Sequence, residues 1–227
     1  MGRGKGHRVG VLTRLARAPV RPRTVGSRAA KRYAPAGKHD APASSIDFAN
    51  STVLCGETLY RLCLRGIEGW SVGPIRVRVR YTRSTAFSGT CIYADRHIYV
   101  NLGRHLRYPY SMKTNLAKVQ TLGRGWRREI FRIEMQNAYQ LAIFIFMHEL
   151  YHLLVYRAGR NTRQKESMCD RFAARYLVDG FGCRVRDRHD HPVPRTVWDF
   201  QDLEGFVAAA RTDRRSNGQA RQRRIPT

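Results

Sequence analysis

The clearest hydrophobic pattern in the chain is a strict alternation. Ile75, Val77, Val79 and Tyr81 fall on one face and Arg76, Arg78 and Arg80 on the other, which predicts a strand with one buried and one solvated face. Thr90-Cys91-Ile92-Tyr93 and His97-Ile98-Tyr99-Val100-Asn101, separated by Ala94-Asp95-Arg96, predict a hairpin. Elsewhere the spacing is helical. Ile46, Ala49, Val53, Leu54, Leu59, Leu62 and Cys63 recur near the helical period. They predict a helix from Ile46 to Leu64, with Ser44 or Ser45 as N-cap and Gly66 ending it. Residues 102–128 contain Gly103, Pro109, Gly123 and Gly125 and predict a loop-rich connection. A long helix is predicted from Glu129 to Tyr156, with a break before Gln136. Within it Leu141 to Met147 are uninterruptedly apolar, which places this part in the core. The run stops at a histidine, well short of the ~18–20 apolar residues that span a membrane. Gly159 suits a C-cap, and Asn161 or Thr162 an N-cap, so a second helix through Leu177 folds back antiparallel. A turn at Asp179–Gly182 and a short helix from Trp198 to Ala210 follow. Strands ahead of a helical hairpin predict an α+β domain over residues 40–210.

Charge divides the chain further. The 42 Lys and Arg against 17 Asp and Glu give a formal net charge of +25. Residues 1–39 contain 11 basic residues and no acid, and residues 211–227 contain six Arg and one acid. The middle therefore keeps 25 basic and 16 acidic residues, a net +9. Both termini predict disordered basic segments. The N-terminal one suits a nucleic-acid arm and an organelle transit peptide equally, and it lacks the apolar core of a secretory signal. Between Leu102 and Arg128 cations mix with Tyr and Trp, the composition of a surface that stacks bases and pairs phosphates. A high-Arg coding bias is the plainer reading of the charge. The five cysteines contain no C-x-x-C pair and predict buried thiols in the cytoplasm or another reducing compartment.

Candidate chemistry sits on the long helix. His148-Glu149-Leu150-Tyr151-His152 is an H-E-x-x-H motif, and i, i+4 imidazoles share a helix face and can reach one metal ion. Glu149, beside the first ligand, can deprotonate a metal-activated water. A catalytic zinc needs a third protein ligand. In the helical hairpin His152 lies ~10 Å before Gly159 and Glu166 ~8 Å after Asn161. Glu166 therefore comes level with His152 and is the candidate third ligand. Asp170, one turn on, comes level with His148 and is the candidate acceptor for its second ring N–H.

H-E-x-x-H followed by E-x-x-x-D on the next helix resembles the gluzincin metallopeptidases. Glu166-Ser167-Met168-Cys169-Asp170-Arg171-Phe172-Ala173-Ala174 resembles the E-x-x-A-[ND]-x-F-A-A segment of ImmA/IrrE-like and related small zincins, with Cys169 where those proteins usually carry Ala. The resemblance covers about residues 75 to 180. It implies a minimal zincin-like domain, a small mixed or antiparallel sheet packed on the H-E-x-x-H helix. It also implies one catalytic Zn²⁺ on His148, His152 and Glu166, and Glu149 as general base of peptide hydrolysis. The hairpin's edge strand would line the substrate cleft. Zincins often stabilise the oxyanion with a mobile His or Tyr, for which Tyr176, His189 and His191 are the candidates. An exposed loop is the competing reading for the two histidines. Two functions follow: a zinc metallopeptidase acting on a protein or peptide, with nucleic acid as a partner of the basic segments, or a nucleic-acid-binding or regulatory module on a zincin scaffold.

Overall fold

The alternating segment forms the centre of a five-stranded mixed sheet. The computed structural model describes residues 31–33, 44–70, 72–83, 86–123, 125–161 and 165–207. The sheet order is β1 (Lys31–Tyr33), β2 (Ser44–Asn50), β3 (Gly73–Tyr81), β5 (His97–Leu102) and β4 (Phe87–Ile92). β2, β3 and β5 run parallel, and the outer strands β1 and β4 are antiparallel to their neighbours. Ile75, Val77 and Val79 are buried, as the alternation requires. The arginines between them point outward and find partners there. Arg78 donates to Asp47 Oδ2 at 2.7 Å, and Arg80 donates to Asn101 Oδ1 at 2.7 Å while lying over the Tyr99 ring. The predicted hairpin is β4 and β5, paired from Phe87↔Leu102 to Ile92↔His97.

The helix predicted from Ile46 to Leu64 is a strand followed by a shorter helix. In β2, Ile46 and Phe48 are buried while Asp47 is exposed. Asn50 then ends the strand. Its Oδ1 accepts from Thr52 N–H at 2.9 Å, its Nδ2 donates to Leu54 C=O at 2.8 Å, and helix α1 begins only at Gly56 (Gly56–Ile67). Asn and Ser/Thr side chains compete with helical backbone bonds in this way. Gly66 does not terminate the helix. It lies inside α1, where a Cβ would stand 2.7 Å from Met147 Sδ, so it lets α1 approach the next helix.

Residues 102–128 hold more regular structure than predicted. β6 (Tyr110–Thr114), β9 (Phe131–Met135) and β10 (Val185–Arg186) form a three-stranded antiparallel sheet, and β7 (Val119–Leu122) with β8 (Gly125–Arg128) forms a separate hairpin. β9 occupies the start of what was predicted as one helix. That helix, α2, spans Ala138–Arg157 and starts at the expected break. Asn137 Oδ1 accepts from Gln140 N–H at 3.1 Å as N-cap, and Gln140 Oε1 reaches back to accept from Gln136 N–H, one residue before the cap, at 2.6 Å. Asn137→Ala is expected to lower unfolding free energy by about 0.5–2 kcal/mol, read as a shifted urea midpoint with unchanged slope. An unshifted midpoint would mean that the Gln140 bond alone holds the helix end.

α2 is buried on all sides from Gln140 to Val155, with β4 and β5 on one flank and α1 and α3 (Glu166–Phe181) on others. That explains its uniform hydrophobicity. It is long and apolar enough to cross a membrane, with mean hydropathy 1.3, yet 89% of that stretch is buried within the fold. Gly159, at φ +76°, ends α2. Gly159 N–H donates to Tyr156 C=O and Arg160 N–H to Val155 C=O, a Schellman cap. α3 starts at Glu166 rather than directly after Asn161, and it runs through the predicted turn to Gly182, whose φ is +64°. The helix predicted from Trp198 is two short pieces, α4 (Arg195–Trp198) and residues 203–207. Asp199 ties this segment to α3 by accepting from Arg175 and Arg195, each at 2.7 Å. Of the basic N-terminal segment, residues 31–33 contribute β1. Residues 1–30 and 208–227, which hold most of both predicted arms, lie outside the described residues.

Candidate metal centre

α2 and α3 meet where the sequence spacing puts them. His148 and His152 are wholly buried, one helical turn apart, with ring centroids separated by 5.1 Å. Glu166, in the first turn of α3, straddles them. Its Oε2 lies 3.3 Å from His148 Nε2, and its Oε1 lies 3.3 Å from His152 Nε2. One turn on, Asp170 Oδ1 lies 2.9 Å from His148 Nδ1. A carboxylate only accepts, so Nδ1 carries a proton, and Nε2 is the ring nitrogen turned toward Glu166.

Asp170 has a second attachment that no spacing in the sequence announces. Its Oδ2 accepts from the Asn115 N–H at 2.6 Å, just past β6. Arg171, beside it, donates to Leu116 C=O at 3.2 Å and to Gln201 Oε1 at 2.6 Å. The segment after β6 is thereby bonded to the helix that carries both carboxylates.

Cys169 is a further unpredicted neighbour. Its Sγ and one ring nitrogen from each of His148 and His152 lie within 4.8 Å of one another, and Cys169 is fully buried. Two donor sets therefore overlap on the imidazoles: Glu166 reaches both Nε2 atoms, and the Cys169 thiol lies within 4.8 Å of a nitrogen of each ring. Such a nitrogen, oxygen and sulfur set suits Zn²⁺. The Nε2 atoms of both histidines are buried without a hydrogen bond of sound geometry, which is costly unless something else satisfies them. The residues thus fit a divalent cation.

The electrostatics have the same form. Burial alone disfavours charge on both imidazoles. At His148 the bonds to Asp170 and Glu166 outweigh burial and raise the pKa to about 10. At His152, which has no aspartate, burial wins and the pKa is lowered, with the charge on His148 adding to it. The close approach of His148 and His152 holds the Glu166 carboxyl well below the usual carboxylate range. Glu149 is pushed up to about 8, first by burial, against the pull of His148.

Glu149 reaches the edge of the sheet. Gly89, on the edge strand β4, faces it so closely that a Cβ there would stand 2.3 Å from Glu149 Oε1. The Cys91 amide on the same strand favours the charged carboxylate. Glycine at 89 is what lets the strand and this carboxylate share the space.

The three candidates for oxyanion stabilisation are placed elsewhere. Tyr176 lies between α3 and α1, lining a cavity of about 270 Å³ with Arg65, Trp70 and Phe172 that none of the metal-centre residues lines. His189 and His191 are held in an exposed loop around Asp187, whose Oδ1 accepts from both of their backbone N–H groups at 2.7 and 2.9 Å. That loop follows β10, at the far side of the β6–β9–β10 sheet from β6. Placing these three residues requires the tertiary fold, which helix spacing does not carry.

Comparison of the chain with protein-family models, with curated proteins and with solved structures finds no match.

Proposed function

We propose that the chain is a zinc-dependent metallopeptidase of the gluzincin kind on a minimal zincin-like fold. The observation that carries this reading is Glu166 bridging the two buried Nε2 atoms, with Asp170 behind His148 and Glu149 beside them. His148, His152 and Glu166 would hold one Zn²⁺. Bound there, the ion supplies a Lewis acid and an acidified water for amide hydrolysis. Asp170 fixes the tautomer and ring orientation of His148. Glu149 takes the proton from the attacking water and later gives it to the leaving amine. Burial raises its pKa in the metal-free chain, and a bound cation would draw it back toward the charged form that accepts a proton. The unpaired side of β4 offers backbone donors and acceptors to an extended substrate chain. The five cysteines are all free, which supports a reducing compartment.

The position of Cys169 favours a second reading. A thiolate closing the site on His148 and His152 would make a four-ligand structural centre, as in a regulatory or nucleic-acid-binding module. Metal content and cobalt substitution separate the two. The peptidase reading expects about one zinc per chain, sharply reduced in Glu166→Ala and retained in Cys169→Ala, with no sulfur-to-cobalt charge-transfer band. An intense band that disappears in Cys169→Ala would replace it with the structural reading. Wild-type protein without zinc would end both.

A further inference from the structure

The β7–β8 hairpin is exposed on both faces. In its register Val119 pairs with Arg128, Gln120 with Arg127, Thr121 with Trp126 and Leu122 with Gly125. Opposed residues share a face. One face therefore presents Trp126, Thr121, Val119 and Arg128, and the other presents Arg127, Gln120 and Leu122. Trp126 is 73% exposed, although Trp is among the residues most often shielded from water. Among the described hairpin residues, Arg128 alone is half-buried.

A two-stranded hairpin is marginal by itself, so its base needs fastening. Lys118 Nζ lies 4.2 Å over the Phe200 ring, and Arg171 lies 4.1 Å from the same ring. Arg128 donates to Asn115 Oδ1 at 3.5 Å. The root is thereby tied to α3. Residues 118–128 include Lys118, Arg124, Arg127 and Arg128 and no acid.

We infer that the β7–β8 hairpin binds single-stranded nucleic acid, with Trp126 stacking on an unpaired base and the hairpin's cations pairing with flanking phosphates. An exposed indole beside cations is the combination that sequence-tolerant single-strand binding uses. Charge sets the sign of the partner. The hairpin is wholly basic, and the whole chain is at +25, so the ligand is a polyanion. The indole sets its form, because stacking needs a base that is not already paired. An anionic bilayer offers charge without a base to stack on, and it is the competitor that the experiment distinguishes.

The test uses the full chain and Trp126→Ala beside Trp126→Phe, titrated into a labelled single-stranded oligodeoxynucleotide, the same sequence as RNA, its duplex, and phosphatidylserine vesicles. Because the basic termini add a salt-sensitive attraction of their own, affinities are compared at several salt concentrations. Trp126→Ala is expected to weaken single-strand binding by about fivefold to a hundredfold, most visibly at high salt, while Trp126→Phe keeps most of it. Intrinsic fluorescence should be quenched on binding, and the quench should vanish in Trp126→Ala, since Trp198 is buried and Trp70 is half-buried against Phe172. DNA and RNA single strands behaving alike would fit stacking on any base. Trp126→Ala binding within twofold of wild type at every salt concentration would overturn the inference. So would equal loss on the duplex, or a fluorescence change with vesicles and none with single strands. The readouts are binding and fluorescence, so they stand or fall independently of hydrolysis at the metal centre.

Discussion

Glu149→Gln is expected to keep its zinc and lose peptide hydrolysis by ~10²–10⁴-fold, the usual worth of a positioned general base. The substitution is isosteric and leaves His148, His152 and Glu166 untouched, so the metal contacts survive. What disappears is the one group beside them that can accept a proton and return it. A second variant reaches the same carboxylate from the other side. Gly89→Ala would bring a methyl to 2.3 Å from Glu149 Oε1 and 2.7 Å from its Cγ, so the side chain must shift. Gly89→Ala should therefore also keep zinc and lose turnover, and overpacking of this kind costs about 1–3 kcal/mol of stability. The checks are zinc stoichiometry and cleavage of a quenched fluorescent peptide library by each purified variant. Undiminished cleavage by Glu149→Gln would sink the peptidase mechanism. Loss of zinc from Glu149→Gln would mean that Glu149 supports the ligands rather than the reaction.

The two i, i+4 pairs, His148 with His152 and Glu166 with Asp170, were legible because helix geometry puts each on one face. Their relative level was not, because the ~8 Å of helix expected between Asn161 and Glu166 is replaced by a helix that begins at Glu166. The 3.3 and 2.9 Å contacts between the pairs are set by how α2 and α3 pack. Among the strands that were not legible, two were missed for opposite reasons. In β2, Ile46 and Phe48 alternate around Asp47, but Ile46, Ala49 and Val53 also fit a helix, and only pairing with β3 decides between them. In β9, Phe131, Ile133 and Met135 alternate cleanly around Arg132 and Glu134, and the apolar run that follows absorbed them into a predicted helix. The N-cap Asn137, bonded to Gln140 N–H, was the boundary signal. Asn115 is a different case. It touches the site through its backbone N–H, which every residue but proline has, so no residue type could have marked it.

That backbone contact gives Asp170 more to hold than a histidine. Asp170→Ala is expected to weaken zinc affinity by ~10–100-fold, the usual effect of removing a carboxylate behind a histidine ligand. It should also destabilise the metal-free chain by ~3–5 kcal/mol, because a buried and a half-buried donor lose their acceptor together. One is His148 Nδ1–H, now free to change tautomer and turn away from Glu166. The other is Asn115 N–H, whose loss unties the β6–β7 connection from α3. Asp170→Asn separates these effects. Asp170 uses one oxygen for each partner, Oδ1 for His148 and Oδ2 for Asn115, and Asn has only one, so the variant can keep the bond to His148 or to Asn115 but not both. Zinc titration with a competing chelator reads the first effect, and urea unfolding in the presence of chelator reads the second. If Asp170→Asn restored affinity but not stability, orientation of His148 would be shown to need only one acceptor, while the tie to Asn115 needs the second oxygen. Affinity and stability both unchanged in Asp170→Ala would mean that neither contact holds the site, and that α2 packing alone sets the two imidazoles.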